Sequence, residues 1–596
     1  MSEPAPPRAA AGARSALRRL AGYIAHHPVY YGVWLVVTLV YVAGFVALPR
    51  LVGWGIEALS AGLPESEVLR RVGWLAVVAI LTAAVRFFTR TLVFNAARQI
   101  EYELRNDIFA HLQRLPQSFY FQWRTGDLMS RCVNDINAVR LLMGVGLLNV
   151  IQTPILYVAV VGAMATMNAE LALYVLAPYP LFLVIARLAG RSIHHWSLRT
   201  QEGIAEASNH LQECISGISV VKAYAMEGLT GRRFDAVNES LYQRQLRLVR
   251  ANAAMPTVTS LLPALAMCLV VQVGGADIMA GRMPVSDFFI FSMYVFQITF
   301  PTFIMGWVVA LVQRGAASMQ RIDELLSVEP SICDAANARS LPRLSGEIEF
   351  RGLDFDYPGE VGRAPVLRGI DLHVPAGSTL GVVGTVGSGK STLASLVPRL
   401  FEVDDGQLFV DGIDINQLSL ATLRGHIAMV PQEPFLFSAS LADNIAFGRP
   451  DASREEVAAA SRRAQLEADV RELPAGYETF VGERGVMLSG GQRQRTALAR
   501  ALLLDPSILI LDDTLSAVDA RTEARIQREL SSVYRGRTVI VVSSRVGVVR
   551  EADQIAVLDG GRIVERGDHA TLLAAQGLYA RLAREQAPPA ASQGPT

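Results

Sequence analysis

Thr379-Leu380-Gly381-Val382-Val383-Gly384-Thr385-Val386-Gly387-Ser388-Gly389-Lys390-Ser391-Thr392 decides the fold of the C-terminal half of the chain. Thr379 to Val383 is a short apolar run, the pattern of a buried strand. Gly384 to Ser391 spells G-x-x-x-x-G-K-S, and a helical run follows from Thr392. A loop of this composition between strand and helix is a phosphate cradle. Its glycines let backbone N–H groups curl around phosphate oxygens. The helix N-terminus adds a partial positive charge. Lys390 has the length to reach β- and γ-phosphates, and Ser391 offers Mg²⁺ a hydroxyl.

Working outward, Ile508-Leu509-Ile510-Leu511 reads as a second buried strand, ending in Asp512-Asp513. Beside a P-loop, a carboxylate at a strand end is placed to hold Mg²⁺ through water. Short β-rich runs at Ser378–Val383, Ser507–Leu511 and Thr538–Val542 alternate with helical segments, as in an α/β domain.

The first half has another composition. The 596 residues are 51% hydrophobic and only 18% charged, against about 25% charged in soluble domains. Mean hydropathy is +0.30. Charge-free runs cover Pro28 to Pro49, Leu141 to Ala169, Ala251 to Ala276 and Phe288 to Gln313. Each meets the ~20 residues a bilayer crossing requires. Val72 to Val85 and Leu171 to Ala186 are shorter, but flanking arginines can snorkel. Six spans are expected. Arginines before the first span, and the basic loops between spans two and three and between spans four and five, set both ends in the cytoplasm. Ile100, Leu104, Ile108, Leu112 and Leu115 recur at helical spacing, so the spans are expected to continue as helices beyond the membrane.

Zero net charge, from 55 basic and 55 acidic residues, gives no support for a nucleic-acid partner. Cys132, Cys214, Cys268 and Cys333 are far apart and read as packing residues, neither disulfide framework nor zinc site. Only two lysines occur, Lys222 and Lys390. The expected organisation is a disordered cytoplasmic segment over 1–22, a six-span domain over 23–328, a linker over 329–345, a nucleotide-binding domain over 346–586 and a disordered tail over 587–596.

Leu488-Ser489-Gly490-Gly491-Gln492 stands before Asp512. With the P-loop, this resembles the ATP-binding cassette (ABC) transporter family, and the likeness covers nearly the whole chain in the order of exporter-type half-transporters. The implied fold class is α + α/β, a six-helix membrane domain followed by a P-loop cassette. The resemblance implies ATP and Mg²⁺ as ligands and two cassettes facing head to tail. Each ATP then lies between one chain's Gly384, Thr385, Val386, Gly387, Ser388, Gly389, Lys390, Ser391 and Thr392 and the other chain's Ser489, Gly490, Gly491 and Gln492. Tyr357 matches the aromatic that stacks on adenine. Gln432 matches the glutamine that senses Mg²⁺ and γ-phosphate, so Ser391, Gln432 and Asp512 form the implied metal set. Ser516–Asp519 matches the D-loop and Val481–Gly485 the exporter X-loop. Arg124–Leu128 and Ser216–Ala223 look like the two intracellular segments whose short helices dock on cassettes.

Two positions depart from the pattern. The residue after Asp512 is normally Glu, which orients or deprotonates the attacking water; here it is Asp513. The family's switch histidine is replaced by Ser544, too short to reach a γ-phosphate and unable to be cationic. Both losses affect the nucleotide on this chain's own P-loop, while the signature is intact. The expectation is therefore one subunit of a heterodimeric exporter with a slow site of its own, in a bacterial cytoplasmic membrane, moving drugs, lipids or other small amphipathic molecules. A homodimeric lipid flippase and a regulatory subunit that binds ATP without powering transport are the alternatives. Arg86 and Arg90 stand in or near the second span and are either functional or snorkelling. Asn149, Gln152, Gln272 and Gln297 either line a cavity or bridge helices.

Overall fold

The computed structural model describes residues 9–357, 365–482, 487–514 and 520–586. These form two compact units, Met1–Leu112 with Gly126–Ser327, and Gln113–Thr125 with Val328–Thr596.

The first unit is helical. Six helical stretches are long and apolar enough to cross a membrane: Pro28–Ser60, Glu65–Leu112, Thr125–Met167, Ala169–Ser216, Ser260–Met279 and Val285–Leu326. Their apolar windows are only 11–33% buried inside the unit. Val36, Ile80, Leu81 and Val158 point outward, the reverse of a water-soluble fold and suited to lipid. The 48 residues of Glu65–Leu112 extend about 72 Å at 1.5 Å per residue, more than twice the ~30 Å hydrocarbon core. Ile100, Leu104 and Ile108 on its far part are fully buried, as their spacing predicts.

The segment expected to be disordered over 1–22 instead holds a helix, Ala9–His26. Ala16, Leu20 and Tyr23 form its buried stripe. Its polar side is fastened across the unit. Ser15 Oγ donates to Asp323 at 2.6 Å and Arg19 Nε to the same carboxylate at 2.5 Å. Tyr23 OH donates to Asp107 at 2.6 Å. The sequence signal was hidden because the anchoring carboxylate lies 304 positions from Arg19.

In the second unit a six-stranded sheet runs in the order Arg562–Gly567, Gln554–Asp559, Thr379–Gly384, Thr538–Val542, Ile508–Asp512, Ile427–Val430. All neighbours are parallel except the first pair. Alternation along the strands feeds two cores: Leu509, Leu511, Val539 and Val541 enter one, Ile508, Ile510, Ile540 and Val542 the other. A four-stranded antiparallel sheet carries Ile348–Phe355. The carboxyl ends of a parallel sheet form the crevice where ligands bind, and Gly384, Asp512, Val542 and Val430 all stand there.

Most of Arg124–Leu128 lies in a short helix, Thr125–Ser130. A second short helix, Gln117–Gln122, lies just upstream, and Phe121 from it stacks on Phe401 at 5.9 Å and meets Tyr357 edge-on at 6.2 Å. Ile218–Ala223 is a short helix as expected.

Glycines report the helix packing. A Cβ on Gly315 would lie 2.6 Å from Leu142 Cβ, whereas one on Gly73 meets nothing within 4 Å. Gly315→Ala is therefore expected to cost about 1–3 kcal/mol through overpacking. Gly73→Ala should leave thermal stability unchanged or slightly raised. Melting of both variants in detergent checks the contrast.

Candidate functional site

The P-loop is shaped by positions only glycine tolerates. A Cβ on Gly384 would lie 2.0 Å from Leu558 O. Gly387 and Gly389 have φ of +80° and +95°, and a Cβ on Gly389 would lie 2.7 Å from Leu367 Cδ2. The helix Lys390–Leu396 starts directly from this loop. Lys390 is 8% exposed, and its Nζ donates to Gly384 O at 3.0 Å and Thr385 O at 2.7 Å. Burial pushes its pKa down, while Asp513 and Asp512 act to raise it. Ser388 lines the cleft with its hydroxyl buried and without a partner among the described residues.

Ser391 Oγ donates to Asp512 Oδ1 at 2.9 Å. Burial raises the Asp512 pKa, the Ser391 hydrogen bond opposes this, and neighbouring Asp513 adds to the rise. A desolvated carboxylate beside a hydroxyl is an oxygen pair that a divalent cation would stabilise.

These groups share one cleft of about 370 Å³. It is lined by Tyr357, residues 386–392, Gln432, Asp512, Asp513 and Ser544, together with Val366, Val542 and Ser543. Gly384 and Thr385 enter through their carbonyls to Lys390. Tyr357 OH is 2.9 Å from Thr392 Oγ1, and its ring stands edge-on to Phe355 and Phe401. Ser489, Gly490, Gly491 and Gln492 are not among the residues lining the cleft. They open a 14-residue helix, Gly490–Leu503. Ser489 Oγ accepts from Gln492 N at 3.2 Å, and Gln492 Oε1 accepts from Ser489 N at 2.9 Å, a reciprocal cap. Ser489 is exposed.

Three features of the site lay outside sequence reasoning. Asp513 sits at φ +44°, its N–H donates to Val542 O at 2.8 Å, and its Oδ1 accepts from Ser543 Oγ at 3.2 Å. Gln586 holds the Ser544 loop: Nε2 donates to Ser544 O at 2.8 Å, and Oε1 accepts from Val546 N at 2.8 Å. Phe121 reaches the Tyr357 cluster from the distant Gln117–Gln122 helix. None of these long-range pairs has a local sequence signal. The D-loop match Ser516–Asp519 and residues 483–485 of the X-loop match lie outside the described residues.

Residues 31–302 match the ABC transporter transmembrane region and residues 367–516 the ABC transporter domain. The multidrug resistance-like ATP-binding protein MdlA of Escherichia coli is 34% identical over 90% of this chain and 91% of its own length. The chain belongs to the ABC transporter family. Its transmembrane region is of the exporter type. An ATP-dependent lipid A-core flippase of Syntrophus aciditrophicus is 34% identical to this transporter, over 87% of this chain and 86% of the flippase. A solved bacterial Atm1-family ABC exporter with ATP bound superposes with a TM-score of 0.76 at 28% identity, covering 94% of this chain and 99% of the other. This ABC transporter is a multi-pass membrane protein with an ATP-binding cassette.

The buried lysine gives the first test of the cleft. Lys390→Ala is expected to weaken ATP binding by about 100-fold, the loss of charge-assisted hydrogen bonds. Tyr357→Ala should weaken it by about tenfold through lost ring contact. Equilibrium binding of a fluorescent ATP analogue measures both.

Proposed function

We propose that this transporter is one half of an ATP-driven exporter of amphipathic molecules, pairs with a different half-transporter, and carries a slow nucleotide site of its own. The observation that carries this reading is the environment of Asp513. Its carboxylate is one methylene shorter than glutamate and accepts from Ser543 Oγ at 3.2 Å. Reach for water activation is set to within about an ångström, and a misplacement of that size costs about 10²-fold. Ser544, at the switch position, cannot reach or charge-stabilise a γ-phosphate. Asp512 and Asp513 are the carboxylates among the residues lining the cleft, and Asp512 is already engaged by Ser391.

Binding is a separate matter. In this reading the P-loop N–H groups and Lys390 hold the phosphates, Tyr357 holds the base, and Ser391, Asp512 and Gln432 hold Mg²⁺. The oxygen donors suit that ion. Bound Mg²⁺ would offset charge on the phosphate oxygens. The exposed, capped helix at Ser489 offers its N-terminus to a γ-phosphate on the partner's cassette. ATP then cements the pair, and hydrolysis on the partner's P-loop releases it. The multidrug and lipid names of the relatives support amphipathic cargo, and the arginine-rich cytoplasmic loops support a cytoplasmic membrane with both termini inside.

Hydrolysis by the assembled pair tests the assignment. Asp513→Ala is expected to change its rate by less than about twofold, because the fast site lies on the partner. Asp513→Glu combined with Ser544→His should raise turnover at this chain's site by about 10²-fold. A tenfold fall on Asp513→Ala would instead mean that Asp513 is an effective base, as a homodimeric flippase requires.

A further inference from the structure

The membrane unit contains a cavity of about 290 Å³ whose lining includes Arg86, Arg90, Gln152 and Gln297, with Tyr41 and Phe45 among its aromatic walls. Tyr41 and Phe45 belong to the charge-free run from Pro28 to Pro49, which sets the cavity at the depth of the hydrocarbon. Arg86 and Arg90 are one turn apart on Glu65–Leu112, so their side chains share a face. No carboxylate lines the cavity, and neither guanidinium has an ion-pair or hydrogen-bond partner among the described residues. Two unpaired like charges at this depth are costly, and residues of this kind mark ligand sites. A second polar group is also unmet. Gln297 Nε2 donates to Phe45 O at 2.8 Å, which leaves Oε1 buried with no donor among the described residues. Tyr41 and Phe45 stack at 5.6 Å and present a flat apolar wall beside the charges.

We propose that this cavity binds an anionic amphiphile, with its phosphate or carboxylate on Arg86 and Arg90 and its tail along the Tyr41–Phe45 wall. Guanidinium forks match both anions with paired hydrogen bonds. Gln297 Oε1 then accepts from a hydroxyl of the ligand. That the bound molecule is cargo rests on the exporter reading above; that it binds does not.

The test uses the full chain, with any partner that co-purifies, in phosphatidylcholine nanodiscs without ATP. Binding of dodecyl phosphate, dodecyltrimethylammonium and inorganic phosphate is measured by calorimetry against empty nanodiscs. Dodecyl phosphate is expected to bind at least tenfold more tightly than either other probe. The double variant Arg86→Gln, Arg90→Gln should lose about tenfold for dodecyl phosphate alone. Arg90→Lys should fall between, keeping the charge without the fork. Should the double variant fail to fold, the charge series on the unaltered chain decides. Equal binding of anionic and cationic probes would overturn the proposal. So would inorganic phosphate binding as tightly as dodecyl phosphate, or a preference unchanged in the double variant. Preferred binding that does not stimulate ATP hydrolysis by the assembled pair keeps the site and removes the cargo assignment.

Discussion

The second unit, in the proposed reading, depends on one constraint: a polyanion must be held by a cation taken out of water. Lys390 is 8% exposed, and it is tolerable there because two P-loop carbonyls accept from its Nζ and two aspartates stand near. That arrangement needs Gly384 tight against Leu558 O, the Asp512 strand beside it and both at the carboxyl ends of one parallel sheet. The sheet in turn needs alternating side chains on both faces, which is why its central strands carry unbroken apolar sequence.

What could be read along the chain was whatever is local. The P-loop carries its chemistry within Gly384–Ser391, and the signature carries its cap within Ser489–Gln492. The spans declare themselves through runs without charge, and the extension of Glu65–Leu112 beyond a membrane's thickness through Ile100, Leu104 and Ile108. What could not be read is whatever the fold brings from far away. Asp323 turns an Ala- and Arg-rich segment into the helix Ala9–His26. Ser543 fixes the direction of the Asp513 carboxylate, and Gln586 clasps the Ser544 loop from 42 positions downstream. The helix Gln117–Gln122 shows the same limit at short range: its Phe121 stacks on Phe401 from just upstream of the Arg124–Leu128 match.

The two functional surfaces of the cassette have different completeness. In the proposed reading, the nucleotide-binding cleft keeps Lys390 and Ser391 for phosphate and Mg²⁺ and lacks two groups that drive chemistry, Asp513 and Ser544 standing where the family has Glu and His. The signature helix keeps its serine, both glycines and a satisfied cap. A chain under selection for its own turnover would keep both surfaces; a chain that lends its signature to a partner needs only the second. In the membrane unit, Arg86 and Arg90 stand in a cavity beside the charge-free run Pro28–Pro49, with no ion-pair or hydrogen-bond partner among the described residues.

Steady-state ATP hydrolysis by the purified chain alone in lipid, with ATP binding followed in parallel, tests the central claim most directly. The account predicts ATP binding with almost no turnover until a partner half-transporter is added. Brisk turnover by the chain alone would contradict it, because Asp513 would then suffice as the base and no second subunit would be needed.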